Sequence, residues 1–151
     1  MSKKVLVVGG GGRCHAIVDS LSRSAKVSKI YCAPGNAGIG TQAECIPVQV
    51  SDISALLDFA KANDIDLTVV GPEASLAAGI VDAFREAGLK IFGPTQAAAR
   101  IESSKEYAKD LMARHNVPTA AYRTFSDFDE PWNSRYVPRP LSDRISSVRL
   151  L

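Results

Sequence analysis

The chain is poor in the residues that cross-link, span membranes or grip highly charged partners. It has 3 cysteines, Cys14, Cys32 and Cys45, widely spaced and without a Cys-x-x-Cys pair, which argues against a disulfide framework and a zinc site. Free thiols suit a reducing compartment, so a cytoplasmic location is expected. A formal net charge of +2 over 151 residues is too small a basic excess to mark a nucleic-acid binder. No apolar run approaches the ~20 residues that a membrane-spanning helix needs. The run after Met1-Ser2-Lys3-Lys4 is also too short for a signal-peptide core. Neither a nucleic-acid partner nor a membrane is expected. Internal repeats are absent. What remains is an ordinary hydrophobic share of 46%, enough for a real core in a domain of this length.

The most informative feature lies at the start, where Val5-Leu6-Val7-Val8 runs into Gly9-Gly10-Gly11-Gly12-Arg13-Cys14-His15-Ala16. A short apolar run rich in β-branched residues reads as a buried strand. Glycines let the chain turn tightly and approach a ligand closely. Cys14, Ile17, Val18 and Leu21 then recur at helical spacing. Strand, glycine loop and helix N-terminus together make an anion site, because free N–H groups and the helix dipole point into the loop.

The same alternation continues along the chain. Strands are expected at 5–8, 29–32, 45–50, 67–70 and 90–92, with a first helix over 13–24. Asp52 caps a second helix with Ile53, Leu56, Leu57 and Ala60 inward. A third helix carries Leu76, Ile80, Ala83 and Ala87 on one face and ends at Gly88. Two helical segments follow Pro94. Ser103 and Glu106 have capping-box spacing, and the last helix should stop near His115-Asn116, just before Pro118. Strands separated by such helices imply right-handed βαβ units and a parallel sheet, with ligands at the carboxyl ends of the strands. The fold class expected is α/β, Rossmann-like, with helices flanking a parallel sheet. From Asp129 onward the chain has no Ala, Gly or Lys. It carries Arg135, Arg139, Arg144 and Arg149, with prolines and serines, and is expected to be poorly ordered.

The glycine loop is an incomplete dinucleotide fingerprint. Cys14 stands where the third glycine belongs, and Cys32-Ala33-Pro34 where an acidic residue about twenty positions on should bind a ribose. No Gly-Lys-Ser/Thr follows, so it is not a Walker loop. A phosphate or ribose-phosphate site fits better. Arg13 is able to fork onto a phosphate or to stand solvated at a helix start. His15 serves either a ligand or the helix end. Cys14 falls on the apolar stripe and reads as a packed thiol. Pro34-Gly35-Asn36-Ala37-Gly38 and Gly71-Pro72-Glu73 are strand-end turns. In the second, Glu73 is able to accept sugar hydroxyls or to stabilise a helix start. Lys105 and Lys109 share a helix face.

Together these pieces resemble the phosphoribosylamine–glycine ligase (glycinamide ribonucleotide synthetase) family of purine biosynthesis. The resemblance rests on the glycine loop, on Ala33-Pro34-Gly35-Asn36-Ala37-Gly38, and on Asp64-Ile65-Asp66-Leu67-Thr68-Val69-Val70-Gly71-Pro72-Glu73. It rests also on Gly88-Leu89-Lys90-Ile91-Phe92-Gly93-Pro94-Thr95 and on Ser104-Lys105-Glu106-Tyr107-Ala108-Lys109, running to Val117-Pro118-Thr119-Ala120. It covers residues 3–128. The resemblance implies a pre-ATP-grasp N-terminal domain over 1–101, the helical start of an ATP-grasp domain over 102–128, and a divergent tail over 129–151.

It further implies an ATP-dependent C–N ligase that joins glycine to 5-phosphoribosylamine, giving ADP, phosphate and glycinamide ribonucleotide. Gly11, Gly12, Arg13 and His15 would hold the ribose phosphate, with Asn36 and Glu73 close by in the same substrate-binding site, and Lys105 would reach the nucleotide phosphates. ATP and Mg²⁺ (or Mn²⁺) would serve the whole family protein, with no metal ligand in this chain. The family usually has Glu at the position of Cys14. The resemblance stops near Phe128, so a truncated or frame-shifted product without ligase activity of its own is expected. The alternatives are a non-catalytic ribose-phosphate-binding module and a dinucleotide-binding oxidoreductase domain.

Overall fold

The computed structural model describes residues 2–122; the tail expected at 129–151 lies outside the described residues. The chain divides into two compact units, Met1–Pro118 and Thr119–Leu151, and the first holds every element named below. Five strands, β1 (Lys3–Gly9), β2 (Val27–Pro34), β3 (Glu44–Cys45), β4 (Leu67–Val70) and β5 (Ile91–Phe92), form one sheet. Their order is β3-β2-β1-β4-β5 and every pairing is parallel. The helices are α1 (Gly12–Ser22), α2 (Ile53–Ala62), α3 (Glu73–Ala77), α4 (Ile80–Glu86), α5 (Gln96–Ser103) and α6 (Lys105–Arg114). A single 3-10 turn spans Ile39–Thr41.

β1 is the centre of this arrangement. Its side chains alternate between two cores, as the two-residue period of a strand requires. Val5 and Val7 pack with Cys14 and Val18 of α1 and with Ile30, Cys32 and Ile39. Leu6 and Val8 face the larger cluster with Leu56, Ala60, Ile80, Val81 and Phe84. A strand covered on both faces reads as a continuous apolar run, which is why 5–8 contains no polar residue. At its start, Asp66 ties β1 to the segment before β4. It accepts from Lys3 Nζ at 2.7 Å and from the Lys4 backbone N–H at 2.9 Å.

Three expectations need correcting. The third strand is only Glu44–Cys45, and residues 46–50 run on as irregular chain. Pro47 removes a ladder donor there. The third helix is broken into α3 and α4 at Gly79, whose φ of 90° lies in the left-handed region that glycine enters freely. The break turns the inward face to Leu76, Ile80, Val81 and Phe84, leaving Ala83 and Ala87 half-buried. The last helix is capped by Ser104, not Ser103. Ser104 Oγ accepts from the Tyr107 N–H at 3.2 Å, so the residue at the box position is Tyr107 and no reciprocal Glu bond forms. By contrast, the Asp52 cap stands, its carboxylate accepting from the Ala55 N–H at 3.0 Å.

Phe84 is fully buried at the centre of the larger cluster. Phe84→Ala is expected to destabilise the domain by about 3–5 kcal/mol, measured by urea unfolding, because neighbouring helices fill such a cavity only in part.

Candidate functional site

The strand order reverses direction between β1 and β4, and the loops leaving these two strands diverge there. A crevice at the carboxyl ends results, the place where open α/β sheets bind ligands. The loops are held in register by backbone bonds. Gly71 N donates to Val8 O at 2.9 Å and Gly35 N donates to Gly9 O at 3.2 Å. Gly10 lies against the β2 exit so closely that a Cβ there would sit 2.5 Å from Gly35 O, a clash that main chain cannot relieve. Asn36 clasps the two loops. Its Nδ2 donates to Gly10 O at 2.7 Å and its Oδ1 accepts from the Ile39 N–H at 2.9 Å.

A cleft of about 420 Å³ opens beside this junction, lined by residues 9–14, Pro34, Gln49, Val50, Gly71 and Pro72. α1 begins at its floor. Gly11 is the N-cap, no side chain caps the helix, and no acidic residue stands in its first turn. The first N–H groups of a helix have no partner within it, and the dipole makes this end positive. Gly11 and Gly12 have open space where a Cβ would be, so a ligand meets bare backbone. The geometry is that of an anion cradle.

Arg13 and Glu73 meet at the mouth of the crevice, Nη2 to Oε2 at 2.6 Å. The pair links the first turn of α1 to the first residue of α3. A hydrogen bond from its own backbone N–H, reinforced by the Arg13 guanidinium, holds the Glu73 carboxyl below the usual carboxylate range. The Glu73 carboxylate in turn raises the Arg13 pKa. Both side chains are half or more exposed, so the pair orients more than it stabilises.

The structure brings Gly11, Gly12 and Arg13 into the cleft wall and joins Glu73 to them through Arg13. His15 lies beside it. Its imidazole packs on the β2 exit loop, where a Cβ at Gly38 would meet Cε1 at 2.9 Å. Asn36 spends both ends of its amide on the loops. Lys105, exposed at the start of α6, is not among the cleft-lining residues. Gln49 and Val50 were not anticipated. They reach the cleft because the chain leaves β3 early and crosses the strand ends; Pro47, inside the expected strand, was the available signal.

The cysteines surround the junction. Cys14 is buried, with Sγ donating to Val8 O at 3.7 Å, and a Cβ at either Gly9 or Gly71 would fall 2.3 Å from that sulfur. It is the packed thiol expected. Cys32 is buried, its Sγ donating to Gly9 O at 3.2 Å, and burial pushes its thiol up to about 12. Cys45 is exposed.

A family profile described as "Phosphoribosylglycinamide synthetase, N domain" matches residues 3–102. The chain belongs to this family. It is 58% identical over 127 residues to the phosphoribosylamine–glycine ligase of Caldanaerobacter subterraneus subsp. tengcongensis, covering 84% of this chain and 30% of that protein. Against the same-named protein of Xylella fastidiosa (strain Temecula1) it is 56% identical over 128 residues, covering 83% and 30%. The crystal structure of phosphoribosylamine–glycine ligase from Thermotoga maritima superposes with a TM-score of 0.56 at 27% identity, over 78% of this chain and 26% of that one. Phosphoribosylglycinamide synthetase from Anaerococcus prevotii shares the fold, with a TM-score of 0.63 at 14% identity, over 99% and 36%. The chain thus spans about 30% of the length of the curated relatives named here. Membership of the synthetase family leaves the dinucleotide-oxidoreductase alternative without support.

Two measurements check the electrostatics. Cys45 is expected to react with a thiol reagent in the folded protein, while Cys14 and Cys32 stay protected until denaturant is added. The Glu73 carboxyl is expected to titrate by NMR below ~4.3, the ordinary value for glutamate. Its folded pKa is the depressed one, so the stability it lends is present above the unfolded value and is lost as pH falls through the folded value. Arg13→Ala should move that midpoint up only part-way, because the backbone N–H remains.

Proposed function

We propose that this chain supplies the ribose-phosphate half of a phosphoribosylamine–glycine ligase, an ATP-dependent C–N ligase of purine biosynthesis working in the cytosol. The whole protein would join glycine to 5-phosphoribosylamine with ATP. In the reading favoured here, residues 1–101 are the pre-ATP-grasp domain, residues 102–128 begin the ATP-grasp domain, and the cleft holds the phosphorylated sugar of substrate and product. The observation that supports it is the uncapped N-terminus of α1, with Gly11 and Gly12 bare at the floor of the cleft.

The residues divide the work by their chemistry. The N–H groups at the start of α1 face the phosphate. Arg13 has five N–H donors, one of them engaged by Glu73, and turns the others to the same anion. Glu73, kept ionised by that pair, is an acceptor for a ribose hydroxyl or for the sugar's amine. His15 and Asn36 shape the β2 exit loop that closes the cradle. Positioning of the amine in this way is how a binding domain accelerates an acyl transfer completed elsewhere in the protein. Lys105 is assigned to the nucleotide phosphates by its place in the family motif. Among the described residues, no group of three or more His, Cys, Asp or Glu is placed to hold a metal ion.

The 151-residue chain alone is proposed to bind without turnover. Calorimetric titration with glycinamide ribonucleotide should show saturable binding. Arg13→Ala should abolish it, since the variant removes a cation and leaves Glu73 facing the phosphate. Glycine, ATP and phosphoribosylamine together should give no product with this chain. Failure of the unmodified chain to bind the ribonucleotide would refute the assignment.

A further inference from the structure

Three side chains in the cleft wall carry polar hydrogens: Arg13, Cys14 and Gln49. Arg13 is engaged by Glu73 at 2.6 Å, and the buried Cys14 thiol is turned to Val8 O. Gln49 differs from both. Its side-chain amide has no hydrogen-bond partner among the described residues, while its backbone is tied down.

The tethers sit on either side of that amide. Gln49 O accepts from the Asp52 N–H at 3.1 Å, in the turn that leads into the capped start of α2. The next residue is pinned from below. Ser75 is 1% exposed, and its Oγ donates to Val50 O at 2.8 Å. Gln49 thus lines the cleft from a fixed backbone, with an exposed side chain whose donors and acceptor are unused. The fixed backbone keeps the amide at the cleft, while its rotamers are ordered only when a ligand engages it.

We infer that Gln49 is a further ligand-positioning residue of the cradle, its amide NH₂ donating to a phosphate oxygen of the sugar phosphate held at Gly11 and Gly12. The inference rests on the ribose-phosphate reading of the cleft. A neutral amide adds a directed donor without adding charge, and a hydrogen bond to a charged acceptor is among the stronger ones. The same contact selects for a phosphorylated sugar over its unphosphorylated form, since only the former reaches both the amide and the bare N–H groups.

The test is a series at this position in the full chain, titrated with glycinamide ribonucleotide and with ribose 5-phosphate. Gln49→Ala should weaken both about tenfold. Gln49→Glu, which sets a carboxylate against the phosphate, should weaken both further. Gln49→Lys, which restores a donor with a charge, should bind at least as well as the unmodified protein. Thermal unfolding of the ligand-free variants should be unchanged, because the side chain makes no bond in the protein. Equal affinity of Gln49→Ala and the unmodified chain would overturn the inference and leave the ribose-phosphate reading standing. If Gln49→Glu bound as well as Gln49→Ala, the phosphate contact would be overturned. Absence of binding by the unmodified chain overturns both readings.

Discussion

The organisation of this domain depends on burying β1 on both faces. In this sheet its neighbours are parallel and are reached by crossover connections, whose helices cover the sheet above and below. That requirement places α1 against Val5 and Val7, and α2 and α4 against Leu6 and Val8. It also sends β2 and β4 to opposite sides of β1. The crevice at their carboxyl ends is therefore a by-product of core formation. The glycines exploit it, since a chain leaving a buried strand has to turn at once, and Gly10 does so against the carbonyl of Gly35.

The cradle is built mainly from backbone. Its anion-binding groups are N–H groups at the start of α1, and its shape is set by main-chain bonds between strand exits and by the Asn36 clasp. Side chains add direction at the rim. Arg13 and Glu73 hold one another in place at modest energy, as an exposed pair does. Cys14 fills the gap between Gly9 and Gly71 and seals the floor. Among the side chains that line the cleft, Gln49 is the one whose polar atoms make no bond to the described residues.

Much of this was legible in the sequence, for identifiable reasons. The apolar runs at 5–8 and 67–70, the glycine loop and the Asp52 cap are local signals with local causes, and each stands where expected. Cys14 was legible as a packed residue because helical spacing placed it beside Val18. The break at Gly79 was not, because Leu76 and Ile80 keep helical spacing across it and only the backbone reveals the turn. Ile46, Val48 and Val50 alternate as a strand would and predict a longer β3, yet Pro47 and the path toward Ser75 take the chain out of the sheet. Gln49 came into the cleft by that route, and a tertiary path of this kind has no local signature. The pairing of Arg13 with Glu73 was equally hidden, since sixty positions separate them and only the sheet brings them together.

The parallel topology carries a consequence for synthesis. β1 leaves the ribosome before its partner strands, but its pairing with β4 waits for Leu67–Val70, and the larger core waits for Phe84 and Ala99. Until then the most apolar strand of the chain has an unpaired edge, the condition under which nascent chains associate wrongly. Once residue 99 has emerged, every residue that lines the cleft has emerged as well, since the last of them is Pro72. None of the cradle's lining residues lies in α5 or α6, so its lining emerges ahead of both helices.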